Sequence, residues 1–258
     1  MREGRLDFQR IPRLVDEKLA ATNDIIEGQL NAGERDFITR AILNATVKPR
    51  IAIEVGTWLG GGSTLHILRA LEQNQVGHLY GIEADPSIYE RMVGNIRKAA
   101  PEAARRFTPV FGFSDQAIPK LIAEQSGEFA VDFVFLDGGN RPMEQIVEFQ
   151  LLDPHLPVGG QLLGHDARMR KGKFLVPYLQ LLDNWEMQVH DFSELGLFYA
   201  RKIRPSPSTA SLEAAERKLR QLRLEPKEVA AAVLPGWSRR AILKLLPRRW
   251  ARSLSDEA

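Results

Sequence analysis

Between residues 51 and 202 the chain alternates short apolar runs with longer stretches whose apolar positions recur at helical spacing. The runs at 51–55, 78–83, 107–111, 131–136, 160–164, 185–190 and 197–202 read as strands. Helical patterns separate the first five, which predicts βαβ units and a parallel sheet, hence an α/β fold. The last two are joined by the segment DFSELG, too short for a crossover helix, so an antiparallel hairpin is expected there. Residues 8–48 read as helical, with Phe37, Ile38, Ala41 and Ile42 on one face. After Ile203 a Pro/Ser-rich linker, RPSPSTAS, leads into two further helical stretches. These span 211–223 and 226–252, the second interrupted by Leu234-Pro235-Gly236. Three parts follow: N-terminal helices over 1–48, an α/β domain over 49–203, and a helical extension over 204–258.

Composition narrows the class. Of 258 residues, 44% are hydrophobic, enough for a buried core, and the absence of cysteine excludes disulfides and thiolate metal sites. No apolar run has the length of a membrane span, and the first residues lack an apolar signal core, so a soluble, cytoplasmic protein is expected. The net charge of +2 conceals an asymmetry. Residues 201–258 hold 14 Lys/Arg against 6 Asp/Glu, and the preceding 200 hold 21 against 27. The segment around Trp237, Ile242, Leu243, Leu245, Leu246 and Trp250 mixes apolar residues with cations. It suits docking on the acidic domain or on a second subunit of a homo-oligomer, or peripheral contact with an anionic membrane. It lacks the interleaved aromatics of a nucleic-acid platform, so no nucleic-acid partner is expected.

The first strand runs into four glycines, Gly56, Gly60, Gly61 and Gly62, before Ser63 and Thr64 open a helix. Glycines let a ligand approach the backbone, and free N–H groups at a helix start favour a polar or anionic group. The spacing, Glu54-x-Gly56-x-x-x-Gly60, differs from the G-x-G-x-x-G of dinucleotide binders. It resembles motif I of the class I S-adenosylmethionine (SAM) methyltransferases, where the first glycine lies against the methionine part of SAM and the acidic residue supports the site. The resemblance implies a Rossmann-like class I methyltransferase sheet: five parallel strands plus a C-terminal antiparallel hairpin, flanked by helices.

Glu83 ends the second strand, about 20 residues past the glycine turn, where a carboxylate can accept hydrogen bonds from two ribose hydroxyls. Asp85, next to Pro86, reads instead as a helix-opening turn. Beyond the third strand, G-F-S-D-Q-A-I-P-K-L resembles a segment of catechol-type O-methyltransferases that lies beside the adenine ring. Ser114 and Asp115 fill those positions, and the same pair also fits a plain helix cap.

Asp137 ends the fourth strand, and His165 and Asp166 end the fifth, so all three are expected at one crevice mouth. Carboxylates suit Mg²⁺, Ca²⁺ or Mn²⁺, and an added imidazole tilts the set toward Mn²⁺, Fe²⁺ or Zn²⁺. The segments L-D-G-x-x and P-x-G-G-x-L-x-G-H-D resemble the family of macrolide-sugar O-methyltransferases and cephalosporin-hydroxylase-like proteins over roughly 35–203, with catechol-type enzymes more distant. The resemblance implies methyl transfer from SAM to a hydroxyl of a small-molecule acceptor, a sugar or other natural product. It also implies a divalent ion, Mg²⁺ or another, on Asp137, His165 and Asp166. Asn140 stands where these families place a histidine or a lysine; it can orient a hydroxyl but not take its proton. His165 is therefore either a metal ligand or the general base. A non-catalytic SAM-binding scaffold and an iron-dependent oxidative enzyme remain as alternatives. The basic loop of Arg168, Arg170, Lys171 and Lys173 reads as a solvated loop bordering the crevice, able to meet an anionic substrate group. Trp58 is expected over the methionine part of SAM or on the N-terminal helices, and His66, His155 and His190 read as structural.

Overall fold

A computed structural model describes residues 26–125, 129–139 and 141–224. Seven strands form one sheet: β1 (Ile51–Val55), β2 (His78–Glu83), β3 (Phe107–Phe111), β4 (Phe133–Leu136), β5 (Gln161–His165), β6 (Trp185–His190) and β7 (Leu197–Lys202). Their order is β3-β2-β1-β4-β5-β7-β6, with β1 to β5 parallel and β7 antiparallel to both β5 and β6. The helices are α1 (Ala32–Leu43), α2 (Thr64–Gln73), α3 (Pro86–Ala99), α4 (Ser114–Glu124), α5 (Pro142–Leu152), α6 (Leu175–Leu181) and α7 (Thr209–Arg223).

Both sheet faces are covered, which is why the central strands read as unbroken apolar runs. Alternate residues divide between two cores. Ile53, Val134, Leu136 and Leu162 pack toward α4, α5 and α6, while Ala52, Phe133, Phe135 and Leu163 pack toward α1, α2 and α3. The expected strand limits hold to within two residues, β4 beginning at Phe133 rather than 131.

The chain winds outward from β1 through β2 to β3, then returns to lay β4 on the other side of β1. That reversal opens a crevice at the carboxyl ends of β1 and β4, the usual ligand position in open α/β sheets. Gly56 sits there with φ +85°, and a Cβ on it would lie 2.5 Å from the Gly138 nitrogen. Only glycine lets these two strand ends run so close.

Two helical expectations change. Within 8–48 the described helix is α1 alone, preceded by an irregular segment from Ile26, and residues 8–25 lie outside the described residues. The Pro/Ser stretch is tied down: Asp183 Oδ1 accepts from the Ser208 N–H at 2.9 Å and the Ser211 hydroxyl at 2.9 Å. Helix α7 buries Ala215 and Leu219 in the core beside Tyr178, whose hydroxyl donates to Glu216 Oε1 at 2.9 Å. The first helix of the basic extension is thus docked on the α/β domain. The stretch 226–252, with its aromatic and cationic residues, lies outside the described residues.

Candidate active site

A cleft of about 640 Å³ opens at the carboxyl ends of β1, β2 and β4. Its lining includes Gly56, Trp58, Glu83, Ser114, Asp115 and Asp137. Glu83 is held by backbone alone: Oε1 accepts from the N–H groups of Ala84 and Asp85, and Oε2 from Trp58, each at 3.0 Å. Asp85 caps α3 instead, accepting from the N–H groups of Ser87 and Ile88.

Glu54, Gly60 and Ser63, expected at the SAM site, stand back from the cleft. Glu54 is fully buried under the turn and accepts a short hydrogen bond from the Ser63 hydroxyl. Burial pushes its carboxyl up to about 8 despite that bond, so at neutral pH it is a protonated support. Gly60 turns toward α3, where a Cβ would meet the Ile96 side chain at 2.9 Å. Gly61 does the same against the Ile26 carbonyl at 2.3 Å, so these glycines serve packing, while Gly56 faces the cleft. Ser114 is not the cap of α4; that position is Phe113, without a side-chain bond. The Ser114 hydroxyl donates to Glu148 Oε1 at 2.6 Å. Glu148 is buried at the cleft wall, and burial pushes its carboxyl up to about 7 despite the bond from Ser114.

Asp137, His165 and Asp166 do meet, with one potential ligand atom from each within 4.8 Å of the others. Gln145 of α5 fixes their spacing, its amide donating to the last carbonyls of β4 and β5, Leu136 at 3.4 Å and His165 at 3.2 Å. His165 Nδ1 lies 3.4 Å from Asp137 Oδ1 and 3.2 Å from Asp166 Oδ1, and Nε2 lies 3.3 Å from Glu34 Oε1. Burial would lower its pKa, but hydrogen bonds to Asp137, Asp166 and Glu34 prevail and push it up to about 11. The surrounding carboxylates thus favour the protonated ring at neutral pH. Asp166, with a left-handed φ of +58°, would be raised by burial, yet His165 and Lys171 hold it at about 2.

Lys171 is the largest departure from expectation. It is 6% exposed rather than solvated, and its Nζ lies 2.8 Å from Asp137 Oδ1 and 2.8 Å from Asp166 Oδ2. The three expected ligands therefore already enclose a cation of the chain itself, and they do not fit a divalent ion in this arrangement. Within the same loop, Arg168 is paired with Asp191. His66 is buried in α2, where burial and then Arg35 and Arg69 lower it to about 4, in keeping with a structural role. Asn140 lies outside the described residues.

Sequence reasoning missed Glu34, Gln145, Glu148 and Ser193. A signal existed for three of them. Asn31-x-x-Glu34 is a capping box, realised with the Glu34 N–H at 3.0 Å from Asn31 Oδ1. Gln145 and Glu148 share the buried helical face of Ile146, Phe149 and Leu152, and polar groups on such a face have a partner. Ser193, in the β6–β7 turn, carried no signal.

Residues 53–167 match the family described as a methyltransferase domain. That span runs from within β1 to just past Asp166 and takes in the cleft lining except Gln29. The chain resembles the O-methyltransferase TomG of Streptomyces achromogenes, involved in tomaymycin synthesis and solved with SAM. That match has 18% identity and a TM-score of 0.57, covering 73% of this chain and 91% of that one. It also resembles an O-methyltransferase of Bacillus cereus in complex with SAH (16%, 0.55, 75% and 93%) and a methyltransferase of Geobacter sulfurreducens (13%, 0.55, 76% and 92%). No curated protein matches the sequence. The chain therefore shares the fold of these methyltransferases, and its residues 53–167 match a methyltransferase domain.

Proposed function

We propose that the chain transfers the methyl group of SAM to a hydroxyl oxygen of a small-molecule acceptor, a sugar or another natural product. One observation carries this reading: a single cleft joins Glu83, held by three backbone N–H groups, to Asp137 and the charged cluster behind it. The likeness of fold to O-methyltransferases solved with SAM and SAH supports it.

When bound, SAM supplies an electrophilic methyl on a sulfonium, and its transfer to oxygen releases one proton from the acceptor hydroxyl. Glu83 accepts from the ribose hydroxyls, and because its carboxylate is already fixed, little reorganisation accompanies binding. Ser114 and Asp115 line the adenine end, and Gly56 admits the methionine end. Asp137 accepts the acceptor hydroxyl and takes its proton. Its contacts with Lys171 and His165 both fall on Oδ1, which assigns that task to Oδ2. The two cations behind it balance the negative charge that grows on the oxygen. Most of the rate gain comes from alignment of oxygen and methyl in a site that excludes water.

The test pairs binding with turnover. S-adenosylhomocysteine should raise Tm and NAD should not, and methyl-labelled SAM should label members of a hydroxylated acceptor panel. Stabilisation by NAD alone would sink the proposal.

A further inference from the structure

We infer that the Lys171 ammonium is a built-in replacement for a divalent ion, so that this chain works on its acceptor without a metal. The inference rests on the methyl-transfer reading for its catalytic consequence and on geometry for the rest. An ammonium has three N–H donors. The Lys171 Nζ meets three oxygens, Asp137 Oδ1 at 2.8 Å, Asp166 Oδ2 at 2.8 Å and the Asp137 carbonyl at 3.3 Å, so all three donors are used. A divalent ion on the same carboxylates would need oxygen ligands at about 2.0–2.6 Å. It would take the volume the ammonium fills.

The histidine points to the same conclusion. A ligand to an ion must offer a bare nitrogen lone pair. Both ring nitrogens of His165 face carboxylate oxygens, Nδ1 toward Asp137 and Asp166 and Nε2 toward Glu34. Ser193 adds a hydroxyl to Glu34 Oε1 at 2.7 Å, so the far side of the ring is closed as well.

The chain is built to hold the lysine there. Lys171 opens a short 3₁₀ turn, Lys171–Lys173. The next residue is Gly172, where a Cβ would lie 2.5 Å from the Ala167 carbonyl. The turn folds tightly against Ala167, just past the fifth strand, and the Lys171 ammonium lies between the two carboxylates. A single ammonium offers no open positions for chelating two neighbouring oxygens. An acceptor of this enzyme therefore needs one hydroxyl and not a vicinal pair.

The experiment measures Mn²⁺ binding to the full-length protein by electron paramagnetic resonance and calorimetry, with S-adenosylhomocysteine binding measured on the same samples. Wild type should show no saturable Mn²⁺ site, and EDTA should change neither Tm nor turnover. Lys171→Met, which removes the charge and keeps the length, should gain one Mn²⁺ per chain, and Asp137→Asn in that background should abolish it. Lys171→Arg, which keeps a cation, should gain none. A saturable Mn²⁺ site in wild type overturns the inference, as does a folded Lys171→Met that binds no Mn²⁺. If Lys171→Met does not fold, Lys171→Gln and the wild-type titration decide. Loss of S-adenosylhomocysteine binding in wild type would instead count against the methyl-transfer reading.

Discussion

Glu34 Oε1 lies 3.3 Å from Nε2 of His165, 131 residues further along the chain. The residue that completes the cap of the first helix thereby closes the charged cluster at the end of the fifth strand. Its other oxygen accepts from the Asn31 N–H at 2.9 Å, so one carboxylate ties α1 to the end of the fifth strand. Burial would raise its pKa, but His165, Asn31 and Ser193 hold it below the ordinary carboxylate value.

Glu34→Ala leaves the His165 imidazolium short of a partner and removes half of the capping box. It should cost about 1–3 kcal/mol, the usual penalty for a buried group stripped of its hydrogen-bond partner. Urea unfolding at pH 7 measures it. A loss below about 0.5 kcal/mol, typical of inconsequential surface changes, would mean the link carries no stability.

His165 makes stability pH-dependent on the alkaline side. Its folded pKa of about 11 lies above the ordinary value of 6.5. The stabilisation is thus complete below about pH 6.5 and fades as pH rises toward 11. Wild type should lose Tm progressively over that window. His165→Gln should start lower and show a flatter profile between pH 7 and 10. Parallel curves for the two proteins would contradict the cationic assignment.

Glu148 acts in the opposite sense. Its carboxyl is raised to about 7 by burial. Between about pH 4.5 and 7 the unfolded chain ionises while the folded one stays protonated, so stability falls across that range and then levels off. Glu148→Gln should be near neutral at pH 4.5 and stabilising at pH 8, by on the order of 1–3 kcal/mol. Equal Tm shifts at both pH values would show that burial is not what raises this group.

Glu83→Ala should weaken S-adenosylhomocysteine binding by about 1–3 kcal/mol, the worth of charge-assisted hydrogen bonds to the ribose. Calorimetry gives the Kd. Glu83→Gln keeps the shape and should lose part of this. An unchanged Kd in both would move the ribose elsewhere in the cleft.

Asp137 and His165 separate by kinetics. Asp137→Asn should lower kcat by roughly 10²–10⁴-fold, the range for a positioned base. His165→Gln should lower kcat while keeping the acidic limb of the pH–rate profile, because a ring already protonated cannot supply that limb. Disappearance of the limb in His165→Gln would restore the histidine as base.

Much of this protein is legible in its sequence, for local reasons. Strand periods depend on which residues must be buried on both faces, so Ile51–Val55 and Leu197–Lys202 are marked by composition alone. The Gly56 turn announces itself because a close approach of two strands tolerates no side chain. The gathering of Asp137 with His165 and Asp166 follows from two strand ends lying side by side, which the βαβ order dictates. What no local pattern contains is the partner of each charge. Lys171 reads as one cation in a solvated basic loop until the turn at Gly172 brings it between two carboxylates. Glu34 reads as a helix cap until α1 packs beside the fifth strand. Lys171 reaches Asp137 across 34 residues and Glu34 reaches His165 across 131, and the energies of these pairings depend on burial that exists only after folding. The sequence by itself therefore determines where the acidic ligands stand, and the tertiary structure decides that the cation among them is a lysine of the same chain.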